Sequence, residues 1–316
     1  PSEVSVPLNR CLSDRETSIL FDSHILSFFR GSRIVSSPEI RPCGFALFLY
    51  CLKMRVLFFG DIVGEQAVDQ LVADIPRWRQ EHHIDFVIAN MENAIVSHPE
   101  DLWGGFGISL DVITRLTEAG VDVLTGGNHS WDAPNTDAVM AHPKIVRPGN
   151  VTNDLPGRGH ITLEVKGKLV TVVNLIGDTA AGKRYQTQQP FDYFQAQTFS
   201  ENSLMIIDYH ANTPIEKWSL ARVLDGQVTA IIGTHTHEPT LNLYRPPQGT
   251  FFVADVGMNG ATGGVLGMGN RYFLSKEKQP DAPVDFDLAP GPLQLGAVIF
   301  DSQSGEIGRL CDRNWP

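Results

Sequence analysis

Apolar positions along the chain fall into short runs separated by longer stretches of helical pattern. Val56-Leu-Phe-Phe-Gly, Phe86-Val-Ile-Ala, Val121-Asp-Val-Leu, Leu204-Met-Ile-Ile and Ala230-Ile-Ile have the length and continuity of strands buried on both faces. Between the first two, the pattern predicts a helix from about Gln66, which Pro76 should kink or restart because proline removes a backbone donor. Ser109 is placed to cap a second helix, with Asp111 in its first turn, and a further helix falls near Asn135. After Arg147 the pattern changes to strand pairs. Ile161-Thr-Leu-Glu-Val and Leu169-Val-Thr-Val-Val should form a hairpin across Lys166-Gly-Lys168. A helix over 215–224 and short strands near Phe251 and Val298 complete an α/β reading.

The ends of the apolar runs carry the chemistry. Ala230-Ile-Ile leads into Gly233-Thr-His-Thr-His, and positions i and i+2 of an extended segment share a face. His235 and His237 can therefore converge on one metal cluster. The other runs lead to Asp61, to Glu92 and Asn93, to Asn128 and His129, and to Asp208 and His210. Oxygen and nitrogen donors at the carboxyl ends of strands are where α/β proteins build sites. Each residue also has a plainer reading: Asp61 could cap a loop, Asn128 could occupy a turn, and His210 could be a core histidine. It is their joint placement that points to metal.

Composition narrows the class. An apolar content of 42% is that of a globular chain, and no apolar run approaches the roughly 20 residues of a membrane helix. The net charge of -11 argues against a stable complex with nucleic acid, which wants a basic footprint. A small anionic ligand at a metal site is still compatible, because bound cations are often the largest local charges. Cys11, Cys43, Cys51 and Cys311 contain no Cys-x-x-Cys spacing, so a reducing cytoplasm is the expected location. Residues 1–53 lack a clear period and read as a poorly ordered leader or as residues upstream of a functional start at Met54, with the functional domain spanning 54–316. Phe45-Ala-Leu-Phe-Leu-Tyr lies too deep, and without a small-residue cleavage site, to read as a signal peptide.

Gly60-Asp61, Met91-Glu92-Asn93, Gly127-Asn128-His129, Asp208-Tyr-His210 and Gly233-Thr-His235-Thr-His237 occur in the order seen in calcineurin-like metallophosphoesterases, which this chain resembles. Met54-Arg-Val-Leu-Phe-Phe-Gly-Asp, Gly-Gly-Phe-Gly at 104–107, Gly-Asn-His-Ser-Trp-Asp at 127–132 and Arg147-Pro148 are more specifically similar to the YmdB-like phosphodiesterases. The similarity runs from Met54 to about the C-terminus. The superfamily's histidine two places after the first aspartate is replaced here by Val63, and Asn93 fits the substitute of the subfamily.

The resemblance implies a four-layer α/β/β/α sandwich and a dinuclear centre. Asp61, Asn93 and His237 would hold one ion, Asn128, His210 and His235 the other, with Glu92 bridging. That mixed donor set suits iron or manganese, with zinc possible. It implies hydrolysis of cyclic nucleotides such as 2′,3′-cyclic AMP by hydroxide attack on phosphorus, and self-association into a homo-oligomer. His129, left over after the ligands, becomes the candidate general acid, since an imidazole can donate a proton near neutral pH. Trp131 and Asp132 either orient the loop or read as a packing residue and a helix cap, and Asp255 and Asn259 either line the pocket or occupy a solvated turn. Two other classes stand beside this reading: a metal-dependent nucleotide-binding regulator with little turnover, and a phosphomonoesterase. The stretches 95–103 and 211–217 and Glu238 depart from the subfamily and bear on substrate choice. Gly-x-Ser-x-Gly, His-Glu-x-x-His and a Gly-Lys-Ser/Thr loop are absent, which disfavours other hydrolase and nucleotide chemistries.

Overall fold

The computed structural model describes residues 54–96, 106–278 and 287–312. The chain divides into units of residues 1–44 and 45–316, and all described residues belong to the second. The leader expectation for 1–53, His24, His98 and most of the 95–103 stretch lie outside the described residues.

In chain order the first elements are β1 (Arg55–Phe59), α1 (Glu65–Glu81), β2 (Phe86–Asn90), β3 (Ile95–Val96), β4 (Phe106–Gly107), α2 (Leu110–Glu118) and β5 (Val123–Thr125). There follow α3 (Thr136–Met140), β6 (His160–Val165), β7 (Lys168–Ile176), α4 (Asp178–Ala181), α5 (Pro190–Ala196), β8 (Leu204–His210) and α6 (Pro214–Val223). The last are β9 (Ala230–Thr234), β10 (Leu243–Tyr244), β11 (Phe251–Val253), β12 (Gly260–Ala261), α7 (Asn270–Lys278), β13 (Leu293–Gln294), β14 (Ala297–Asp301) and β15 (Ile307–Arg309).

Two sheets form the body. One has the order β15-β14-β1-β2-β5 and the other β10-β11-β9-β8-β7-β6. Alternation along β1 shows how they stack. Val56 and Phe58 face Val170, Val172, Ile206 and Ile232 of the second sheet. Leu57 and Phe59 face the other way, onto Leu71, Ile75, Trp78, Val112 and Leu116 of α1 and α2. In the second sheet, Ile207, Ile231 and Phe252 turn outward to pack on Leu220 and Leu224 at α6. Both sheets are thus covered on both faces, giving the four α/β/β/α layers and the unbroken apolar runs. Each fully buried Val, Leu, Ile or Phe contributes about 1.5–3 kcal/mol.

Several expected elements appear with small changes. α1 neither stops nor restarts at Pro76, because Ala67, Val68, Leu71, Ile75 and Trp78 bury one continuous face across the proline. Ser109 caps α2 by accepting from the Val112 amide. The β6–β7 hairpin closes through a two-residue turn, with Lys166 and Gly167 at φ of 53° and 74°, so the second strand already begins at Lys168. The stretch 211–217 opens α6. Thr213 and Glu216 form a reciprocal capping box at its N-terminus.

Parallel pairing sets the direction of the site. β1, β2 and β5 run parallel, as do β7, β8, β9 and β11. Their carboxyl ends bring the donor residues together between the two sheets. No described helix is long and apolar enough to cross a membrane.

Candidate metal centre

Glycines permit the convergence. A Cβ at Gly60 would collide with the carbonyl of Gly257, and one at Gly233 with the carbonyl of Ala254. Gly127 lies closest to the site, where a Cβ would meet Glu92 Oε2 and His210 Nε2. The glycines of Gly-Asp, Gly-Asn-His and Gly-Thr-His-Thr-His therefore mark close approaches of backbone to backbone or to donor atoms.

The donors form two overlapping groups. Glu92, His210 and His235 offer atoms within 4.8 Å of one another, as do Asp61, Glu92 and His237, so Glu92 is common to both. His210 Nε2 lies 3.1 Å from Glu92 Oε1 and 3.0 Å from Asn128 Oδ1. Asn93 Nδ2 stands 3.1 Å from His237 Nε2. The His210 and His235 rings meet at 4.5 Å between centroids. All seven residues expected to hold metal are thus brought into one cluster. Asp61, Glu92, Asn93, His210 and His237 are buried, and Asn128 and His235 are partly so. Val63 pairs with Asn93 and packs on Gly260 and Gly267, filling the superfamily's histidine position with an apolar contact.

Outer contacts fix the rings. His237 Nδ1 donates to the Leu266 carbonyl at 2.9 Å, and this carbonyl comes from the glycine-rich turn after Gly257. His210 Nδ1 donates to Thr234 Oγ1 at 2.9 Å, and that hydroxyl donates to Asp208 Oδ1 at 2.7 Å. Both Nε2 atoms are left to face the cluster, the arrangement metal-ligating histidines generally show. His235 and His237 sit at φ of 97° and 62°, a costly region for residues with a Cβ. The His235 amide donates to Asp61 Oδ2 at 3.0 Å, tying that strained loop to β1.

The electrostatics describe a cluster built for positive charge. Burial raises the Asp61 carboxyl, an effect that His237 and His210 only partly offset. At Glu92 burial acts the same way, but His210, His129 and His235 outweigh it and hold the carboxyl below its usual range. Burial pulls His210 down, yet Glu92, Asp61 and Asp208 push it up to about 9. His235 falls to about 2, from burial first and the neighbouring His210 second. Two buried oxygens, Asp61 Oδ1 and Asn93 Oδ1, have no hydrogen-bond partner. A buried acceptor without a donor is costly, and cations supply what these oxygens lack, so the donor set fits metal ions.

Several residues take roles that the sequence left open or did not reveal. Asp132 is no helix cap: Asn135 precedes α3, and Asp132 Oδ2 instead lies 2.7 Å from His129 Nδ1. Arg184 pairs with both Asp132 oxygens, through Nη1 at 2.9 Å and through Nη2. The Phe106 ring covers His129 at 4.6 Å. The i, i+3 spacing of His129 and Asp132 was the one available signal. Trp131 is a packing residue as expected, 5.1 Å from Tyr185. Asp208 stands behind the donors, its oxygens engaged by Asn90, Thr125 and Thr234, and burial first of all pushes its carboxyl up to about 7. Asp255 and Asn259 are buried rather than solvated turn residues, and their side chains are taken up by other contacts. Asn259 bonds to the backbone of Gly60 and Gly296, and Asp255 to Lys217, Thr236 and Gly257.

A four-layer sandwich with paired donor groups at its strand ends defines a calcineurin-like metallophosphoesterase, a class that works with divalent cations. A model of the YmdB-like protein family matches residues 57–309, and the chain belongs to that family. It is 34% identical to a 2′,3′-cyclic-nucleotide 2′-phosphodiesterase of Bacillus subtilis over 249 residues, covering 78% of this chain and 91% of the relative. A crystal structure of a Thermus thermophilus protein aligns at 32% identity with a TM-score of 0.71, over 81% of this chain and 96% of the other. That of a phosphatase from Mycoplasma pneumoniae aligns at 28% with a TM-score of 0.72, over 82% and 92%.

Proposed function

We propose that this protein is a dimetal phosphodiesterase that hydrolyses cyclic nucleotides of the 2′,3′-cyclic AMP type. The observation that carries the reading is the sharing of Glu92 between two donor groups, which suits two neighbouring ions rather than one. Asp61, Asn93 and His237 would hold one ion and Asn128, His210 and His235 the other, with Glu92 common to both, and their mixed oxygen and nitrogen character would favour iron or manganese. When bound, the two ions would supply Lewis acidity and lower the pKa of the attacking water.

The chain's own residues complete the chemistry. Asp132, held by Arg184, accepts from His129 Nδ1 and leaves Nε2 as the proton donor. Water adds to phosphorus and releases one proton to solvent, one P–O ester bond breaks, and His129 protonates the departing sugar oxygen and then regains a proton from solvent. The His129 side chain is 25% exposed, enough to reach a substrate from the rim. The substrate class comes from the Bacillus subtilis relative's name, and coverage of most of both chains supports transferring it.

Hydrolysis of 2′,3′-cyclic AMP by metal-stripped protein, then by the same protein resupplied with Mn²⁺, tests the reading. Turnover that appears only with Mn²⁺ is expected. Binding of two ions and of nucleotide without product release would favour a regulatory binding protein. Preference for phosphomonoesters would favour a phosphatase.

A further inference from the structure

Lys217 is a charged residue in α6 with a relative exposure of 1%, and its partner Asp255 after β11 is equally buried. The Lys217 ammonium donates to Asp255 Oδ2 at 2.7 Å and to the carbonyl of Thr234 at 2.8 Å. Burying such a pair between a helix and a sheet costs more desolvation than a pair of apolar side chains would, so stability alone is a poor reason for it. Its geometry suggests another. The same Asp255 Oδ2 accepts from the Thr236 amide at 3.1 Å and the Thr236 hydroxyl at 2.7 Å, and Oδ1 accepts from the Gly257 amide at 2.9 Å.

Thr236 is the residue between His235 and His237. Both histidines hold left-handed backbone angles that side chains disfavour, and something must over-determine that conformation. The Lys217 ammonium grips the loop at the Thr234 carbonyl, just before His235, and Asp255 grips it at Thr236. Gly257, the other end of the Asp255 carboxylate, packs its carbonyl against Gly60, beside Asp61. One buried ion pair thus reaches the histidine loop and the segment carrying the first aspartate from a single point. Gly233 fits the same design, since a Cβ there would stand 2.9 Å from the Lys217 Cδ.

We infer that Lys217 and Asp255 are positioning residues that hold the His235-Thr236-His237 loop in its metal-binding conformation. The inference rests on the assignment of His235 and His237 as ligands. Because one histidine serves each ion, loss of the pair weakens both sites together.

The test is Mn²⁺ binding by equilibrium dialysis on the full-length chain, with thermal unfolding followed in chelator. Lys217→Met keeps the stem and removes the charge. Its Mn²⁺ affinity should fall about 10- to 100-fold, as for other outer-sphere partners of metal ligands. Its kcat at limiting Mn²⁺ should fall while KM holds, and excess Mn²⁺ should restore kcat. Thr236→Val keeps the ion pair and the side-chain shape and removes only the hydroxyl link. It should weaken Mn²⁺ binding with little change in unfolding temperature. Wild-type Mn²⁺ affinity in Thr236→Val, with Lys217→Met either unfolded or merely less thermostable, would make the pair a structural fastening and overturn the inference. Failure of the wild-type protein to bind Mn²⁺ would instead remove the metal reading itself.

Discussion

The hydroxyl of Thr234 stands between His210 Nδ1, at 2.9 Å, and Asp208 Oδ1, at 2.7 Å. β8 and β9 pair in parallel with His210 opposite Thr234, so sheet register alone produces this relay. The hydroxyl accepts from the ring and donates to the carboxylate, which fixes the tautomer and turns Nε2 toward Glu92 and Asn128. Thr234→Val keeps the shape and removes the relay, and metal affinity should fall about 10- to 100-fold. Thr234→Ser should recover most of it. Equilibrium dialysis with Mn²⁺ on the two variants checks both statements.

His129 and Glu92 should separate by phenotype. His129→Ala should retain both ions and lose about 10²- to 10⁴-fold in turnover, because an acid is lost and no ligand removed. Glu92→Gln should lose metal and rate together. Phosphodiesters with a nitrophenolate leaving group need no protonation, so their hydrolysis by His129→Ala should be far less impaired. Equal loss of metal in the two variants would place His129 among the ligands.

Asp132→Asn should resemble a milder His129→Ala. The carboxylate that holds Nδ1 also pairs with Arg184, so the change disturbs the orientation of the imidazole while leaving the ions in place. Metal content measured beside turnover on the two classes of ester decides this.

Gly127→Ala should empty the site in an otherwise folded protein. The added methyl would meet Glu92 Oε2 and His210 Nε2, atoms at the junction of the two donor groups. Gly308→Ala, where a Cβ meets nothing within 4 Å, serves as control and should keep its metal. Elemental analysis of the two purified variants gives the answer.

Metal-free protein should lose stability as pH rises. His210 is raised from 6.5 to about 9, with burial opposing the rise and Glu92, Asp61 and Asp208 driving it. A group raised above its unfolded value contributes stability that is fully present below the unfolded pKa and lost through the folded one. The unfolding temperature in chelator should therefore decline between about pH 6.5 and about pH 9. Cation binding must displace this proton, so Mn²⁺ uptake should tighten over the same interval. Calorimetry and dialysis across that range test the two halves.

The sequence by itself determined the long buried strands, though not the short β3, β4, β10, β12, β13 and β15, together with the order of the donor motifs and the seven residues that gather at the centre. Apolar runs buried on both faces leave a strong local signal, and Gly-Asp or Gly-Thr-His-Thr-His at their ends carries its own chemistry. Only the tertiary structure decided which groups stand behind those donors. Thr234, Lys217 and Arg184 are common residue types in unremarkable local patterns, Asp208 and Asp255 were legible only as candidate donor or pocket residues, and each acts on a partner distant in the chain. Pro76 makes the same point for the fold. Its local tendency to break a helix is overruled by a face buried against the sheet, a contact that exists only once the layers have assembled.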